Sequence, residues 1–250
     1  MSDQEQVGAA DLPPGMAVLW RASETGSRGP RRALSRAKIA EAGVALADAD
    51  GLDGLSMARL ARRLGVTTMA LYRYVASKDE LYALMYDAAV GAPPDAATSG
   101  SWRAELEAWC TEQVGAIAQH PWLMELVTLS AMGPNRVAWI ERGLRALEPT
   151  GLSQQRRAAV IGMLALHVLS EGQVVASFVR QQRGVRADHP ALADFSALLG
   201  AVTDPVQYPA ITAALAAGAF SDDGSADGAV SLSLTLLLDG VERLVEREGG

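Results

Sequence analysis

The chain has 250 residues, 49% of them hydrophobic, with a formal net charge of −7 and one cysteine. That length allows one or two domains, and the apolar content can fill a large core. Cys110 can form no disulfide within the chain, which fits a reducing cytoplasm; its expected place is a small buried position on a helix. The N-terminus is polar and acidic, unlike a secretory leader, and the longest apolar stretch, residues 158–169, is too short to span a bilayer. The charge is unevenly spread. Residues 28–90 carry ten basic and seven acidic side chains, residues 91–250 eleven and eighteen. A mildly basic module joined to an acidic body suits a nucleic-acid reader with a separate partner domain.

Residues 1–33 read as a flexible extension, with Pro13-Pro14-Gly15, Gly26, Gly29 and Pro30 among small polar residues. The apolar patch Met16–Trp20 interrupts it, with Trp20 either docked on the protein's own surface or loose. Ser35 then caps a helix that carries Ile39, Gly43, Leu46 and Ala49 on one face and stops at Asp50-Gly51. Leu60, Ala61 and Leu64 repeat at helical spacing, Gly65 breaks that helix, and Val66 follows as a buried plug. Thr67 can cap a second short helix from Thr68 to about Val75. Two short helices around a tight turn holding a glycine form a helix-turn-helix, whose second helix enters the DNA major groove. Here it offers Thr67, Thr68, Met69, Tyr72, Arg73 and Tyr74, while Leu71 and Val75 face inward. Ser77-Lys78-Asp79-Glu80 reads as a capping box that opens a connecting helix through Leu81, Leu84, Met85 and Ala88 to about Val90.

The stretch at 91–101, with Gly91, Pro93, Pro94 and Gly100, marks a linker. Beyond it every long segment reads as helix, giving an all-α body over 101–250. Trp102, Leu106, Trp109, Gln113 and Ile117 share one face of a helix ending at His120-Pro121. A short helix covers about Trp122–Ala131. Gly133-Pro134-Asn135 opens another, and Pro149 stops it. Long helices follow at about 154–182 and 229–247, with two shorter segments at 190–199 and 209–219. No strand alternation and no internal repeat is visible.

The two long helices are apolar on more than one side, so each is buried on more than one side. Val168, Val175 and Val179 on one helix, with Leu234, Leu237, Val241 and Leu244 on the other, are the candidates for a symmetric four-helix contact between two copies; one large monomeric core is the alternative. Two copies also suit DNA reading. Recognition helices about 34–36 Å apart would meet successive major grooves of a palindrome.

Residues 34–57, continuing through 64–81, resemble the DNA-binding domain of the tetracycline-repressor (TetR) family. Gly65-Val66, Leu71-Tyr72, Val75, Ser77-Lys78 and Leu81 all fall at the family's positions. The run Leu236–Glu242 resembles the last helix of the subgroup nearest the tetracycline repressor itself. The resemblance implies an all-helical homodimer that represses transcription and leaves its operator when a small molecule binds. It places Thr67, Thr68, Met69, Tyr72, Arg73 and Tyr74 against the groove. Tyr72 and Lys78, with Ser56 and Arg59 at the start of the preceding helix, would hold phosphates. Arg73 and Tyr74 differ from the tetracycline repressor's own residues, so its operator is not implied. Family arms of this kind lie along the minor groove, which gives Arg28, Arg31 and Arg32 a possible site there.

The family's body encloses an apolar cavity. Trp109, Met124, Met132, Trp139, Met163, His167, Glu171 and Phe178 are the candidates to line it, and Met suits a cavity that accepts varied shapes. His167 and Glu171, one turn apart, could orient a polar group or bond another helix. His120, His167 and His189 lack metal-ligand spacing, so no metal and no cofactor are expected. No nucleophile motif, phosphate loop or carboxylate pair points to an enzyme.

Overall fold

The computed structural model describes residues 12, 14–20, 34–94, 100–127, 132–182, 195–219 and 231–248. Arg28, Arg31, Arg32 and His189 lie outside these. Among the described residues every regular element is helical.

The first bundle is built from capped short helices. Helix α2 (Arg36–Asp50) starts at Ser35, whose Oγ accepts from the Lys38 amide at 3.2 Å. Helix α3 (Met57–Leu64) starts likewise at Ser56, and helix α4 (Thr68–Tyr72) at Thr67. Between α3 and α4, Gly65 takes φ +68°. A side chain is strained in that left-handed region, so glycine is needed to turn the chain there. Helix α4 is shorter than its pattern suggested. The Tyr74 amide bonds back to the Leu71 carbonyl at 2.8 Å, closing a turn before Val75. Helix α5 (Lys78–Val90) begins at Ser77, whose Oγ accepts from the Glu80 amide at 3.1 Å. Glu80 does not complete the expected capping box; its carboxylate accepts from the Ala76 amide at 2.7 Å. Ile39, Leu60, Leu71, Val75, Leu81 and Met85 are fully buried between these helices.

Part of the extension expected to be loose is helical. Helix α1 (Pro14–Trp20) lies against α5, with Ala17 and Val18 buried. Seven residues are too few to form a stable helix in water, so docking on α5 supplies what local propensity lacks.

The body comprises α6 (Trp102–Gln119), α7 (Pro134–Ala146), α8 (Gln154–Gln182), α9 (Phe195–Val202), α10 (Pro209–Ala216) and α11 (Leu232–Glu248). The helix expected over Trp122–Ala131 is one 3-10 segment, Pro121–Glu125, and residues 128–131 lie outside the described chain. Trp109, Leu106, Leu147, Leu152, Leu164 and Leu238 centre the core. Cys110 is buried among them, and that burial pushes its thiol up to about 12, so it stays protonated at neutral pH. By length and composition α8 could cross a membrane over Gln154–Arg180, contrary to the shorter stretch read from the sequence. Its inner face instead packs on α6, with Val160, Ile161, Leu164 and Val168 buried.

Candidate DNA-reading surface and internal cavity

Thr67, Thr68, Met69, Tyr72 and Arg73 are all exposed on and just after α4, and Lys78 is exposed at the start of α5. Met69 is 74% exposed and touches no core. An apolar side chain held out into water on a polar surface suits a thymine methyl. The Thr67 hydroxyl caps α4 by accepting from the Ala70 amide at 3.2 Å, and its own hydrogen is still available to donate. The Lys78 ammonium sits 5.2 Å from the Tyr82 ring centre, which steadies its stem at the start of α5.

Two expected readers are placed differently. Tyr74 is half-buried and packs against the core, because its turn carries it beside Val75. Arg59 bonds Asp50 at 2.5 Å and the Gly54 carbonyl at 3.0 Å, so it braces the end of α2. Ser56 stays exposed as the cap of α3.

In the body, a cavity of about 310 Å³ lies between α5, α6, the 3-10 segment, α7 and α8. Of the residues expected to line it, Trp109, Met124 and Trp139 do. Both indole N–H groups are used on backbone carbonyls, Trp109 on Trp139 at 2.8 Å and Trp139 on Gly91 at 3.0 Å. The two rings meet edge to face, with centres 6.3 Å apart, and present apolar surface to the cavity. Sequence reasoning missed Tyr86, Gln113, Arg136 and the small residues Ala158, Gly162 and Ala165, which also line it. Their spacing of four and three on α8 was the available signal.

The other candidates lie elsewhere. Met132 is 37% exposed and offers its carbonyl to the Trp20 indole. Met163 is half-buried against the core, and His167, also half-buried, is not part of the cavity wall. Glu171 accepts from the Ser233 hydroxyl at 2.9 Å, joining α8 to α11. Phe178 is 48% exposed on the outer side of α8.

The outer apolar face also differs from the stripes read in the sequence. Val168, Leu234 and Val241 are buried within the chain, and Val168 lines the cavity, so none of them offers a partner surface. Leu237 and Leu244 pack partly on the same core, and Val175 and Val179 are half-buried. The exposed apolar residues are Leu166, Val174 and Phe178 on α8 with Leu232 and Leu236 on α11. On α11, Arg103 of α6 clips Asp239 at 2.6 Å and Glu242 at 3.1 Å, which ties that helix to the body.

Charged groups join the two halves of the molecule. Asp48 of α2 accepts from the Trp122 indole at 2.7 Å and pairs with His120 at 2.8 Å. Behind the cavity, Arg142 bonds Glu105 at 2.6 Å and also Glu112, with the Arg142 side chain 7% exposed. Burial pulls the Arg142 guanidinium down, but the bonds to Glu112 and Glu105 raise it further, so it remains charged.

At the junction of α5 and α7, Asp87 is buried and accepts from the Asn135 amide at 3.1 Å. Desolvation raises its carboxyl above the usual range, although the Asn135 and Arg136 amides pull it down. Because the folded value exceeds the unfolded one, ionised Asp87 opposes folding at neutral pH, and the cost fades as pH falls through the raised value. Asp87→Asn keeps the acceptor oxygen. It is expected to melt higher than the native chain at pH 8, with the gap closing towards pH 4; a gap constant with pH in thermal melts would refute this.

Comparison with known proteins agrees with this geometry. The family model for bacterial regulatory proteins of the tetR family matches residues 39–85, and that for the tetracyclin repressor-like C-terminal domain matches residues 93–245. The chain is 34% identical to the HTH-type transcriptional repressor DrrR1 of Streptomyces coeruleorubidus, over 98% of this chain and 91% of that one. It is 30% identical to an HTH-type transcriptional regulator of Saccharopolyspora erythraea, over 77% and 86% of the two chains. Among solved structures it is similar to ActR of Streptomyces coelicolor in complex with actinorhodin, with TM-score 0.70 and 25% identity, over 85% and 97%. It is also similar to BioQ bound to its double-stranded DNA operator, with TM-score 0.52 and 27% identity, over 61% and 94%. The chain belongs to the TetR family and is a DNA-binding transcriptional repressor of the helix-turn-helix type.

Proposed function

We propose that two copies of this chain bind a palindromic operator in the cytoplasm and leave it when a small, largely apolar effector fills the cavity. Residues 34–90 act as the reading head and residues 101–250 as the body. The observation that carries the reading is the double role of α5. It begins at Lys78 beside the reading helix and ends with Tyr86 and Val90 in the cavity wall. An occupant that presses on Tyr86 and Val90 shifts α5, and α5 shifts the head. Only a ligand that binds the shifted state better lowers DNA affinity, by the same factor that DNA lowers its own binding.

Thr67, Thr68, Met69 and Arg73 face base edges, while Tyr72, Lys78 and Ser56 hold phosphates and fix register. The exposed apolar residues Leu166, Val174, Phe178, Leu232 and Leu236 supply the contact between copies, since a patch of that kind on α8 and α11 is costly to leave in water. ActR, a similar protein solved in complex with actinorhodin, supports control by an effector.

The test combines footprinting of the DNA upstream of the chain's own gene with effector titration, using actinorhodin as first probe and a panel of largely apolar small molecules after it. Two symmetric protected segments one helical turn apart, lost on adding a ligand, are expected. Gly162 is the control. A Cβ added there meets nothing within 4 Å, so a large side chain can turn into the cavity mouth. Gly162→Trp should weaken effector binding by about tenfold or more and leave operator affinity within about twofold. Equal effector binding by native chain and variant would place the effector site elsewhere. Protection that no ligand relieves would favour a regulator controlled by abundance or by a protein partner.

A further inference from the structure

Helix α1 precedes the reading head and takes no part in reading or in the cavity wall, yet it is firmly held. Val18 is 1% exposed and Ala17 5%, both against α5. At the end of α1 the Trp20 indole donates to the Met132 carbonyl at 2.8 Å. Met132 precedes Gly133, the cap of α7, and that cap is itself locked onto α5. A Cβ on Gly133 would stand 2.1 Å from the Asp87 carboxylate, so only glycine allows this approach. Asn135 then bonds Asp87 twice, through its amide to the carboxylate at 3.1 Å and through its side chain to the Asp87 carbonyl at 2.8 Å.

We propose that α1 is a clasp on the connecting helix. From α5 the ring of contacts passes through Val18 to α1, through Trp20 to Met132, and through Asn135 back to Asp87. It closes on α5 at Asp87, next to Tyr86 of the cavity wall. A shift of α5 that moved the head would have to strain or open this ring. The clasp therefore narrows the positions open to the head, holds operator affinity up, and sets how hard an effector must push. This inference rests on the reading of α5 as the link between cavity and head.

The experiment uses the full chain with Val18→Asp, which places a charge in the α1–α5 seam, and Trp20→Phe, which keeps the ring and removes only the donor. Hydrogen exchange of the α5 amides and affinity for the footprinted DNA are measured on each. For Val18→Asp, exchange over residues 78–90 should rise on the order of tenfold, and DNA affinity should fall by a similar factor. For Trp20→Phe both should move the same way by about threefold. Exchange over α6 and α8 should not change. Unaltered α5 exchange would overturn the clasp, and faster α5 exchange with unaltered DNA affinity would overturn its role in reading. If Val18→Asp fails to fold, Trp20→Phe decides by the same two readouts. If the native chain itself binds no DNA specifically, the reading of α5 as a link to DNA fails, and the exchange data judge the clasp by itself.

Discussion

Arg142→Ala is expected to lower folding stability by about 3–5 kcal/mol, the usual cost of removing one partner from a buried ion pair. Arg142 is the cation of a triad with Glu105 and Glu112 that joins α7 to α6. Glu105 is 8% exposed, and its Oε2 already lacks a hydrogen-bond partner among the described residues. Without Arg142 the buried Glu105 carboxylate would be left beside the half-exposed Glu112 with no donor to offset its lost hydration. Trp139 would also lose the guanidinium 5.3 Å from its ring centre. Urea unfolding measures the loss. The double variant Arg142→Met with Glu105→Gln should recover part of it, because it removes the charge together with its partner. A loss below about 1 kcal/mol for Arg142→Ala would mean that the triad is open to water in solution.

Met69→Asp is expected to weaken binding to the operator by about a hundredfold or more. Spoiling the readout of one base pair typically costs about 1–3 kcal/mol, each of two heads loses one, and a tenfold change corresponds to about 1.4 kcal/mol. The new carboxylate also faces phosphates. The side chain is 74% exposed, so stability should hold within about 0.5 kcal/mol. That separation of affinity from stability is the informative result. Titration of labelled operator DNA by fluorescence anisotropy measures the first and thermal melting the second; unchanged affinity would remove α4 from the groove.

The features legible in the sequence were those decided within a few residues. Ser35, Thr67 and Ser77 cap the helices that follow them, and Gly65 turns between two helices, because a cap bonds an amide only three positions away; the Ser56 cap follows the same rule but was read only as a phosphate contact. What depended on distant partners was not legible. Asp48 meets Trp122 across 74 positions of chain. Helix α1 carries Pro14 and Gly15 with only five apolar residues behind them, and it is helical because α5 receives it. The stripes of α8 and α11 were visible, but which residues face outward depends on packing against α6 and on contacts between distant residues, such as Arg103 with Asp239 and Glu171 with Ser233. For the cavity, aromatic and methionine residues were the visible candidates. Half of its α8 wall is made by Ala158, Gly162 and Ala165, whose contribution is the space they leave.

The most direct test of the central claim, that the surface around α4 reads DNA, is affinity for the DNA upstream of the chain's own gene across a salt series, with Tyr72→Ala and Lys78→Ala beside the native chain. The account predicts tight, saturable binding to one palindromic segment, weakened by both substitutions. The logarithm of affinity should fall linearly with that of salt, and Lys78→Ala should make the slope shallower by about one for each head. Weak binding that is the same for any sequence and untouched by either substitution would contradict it.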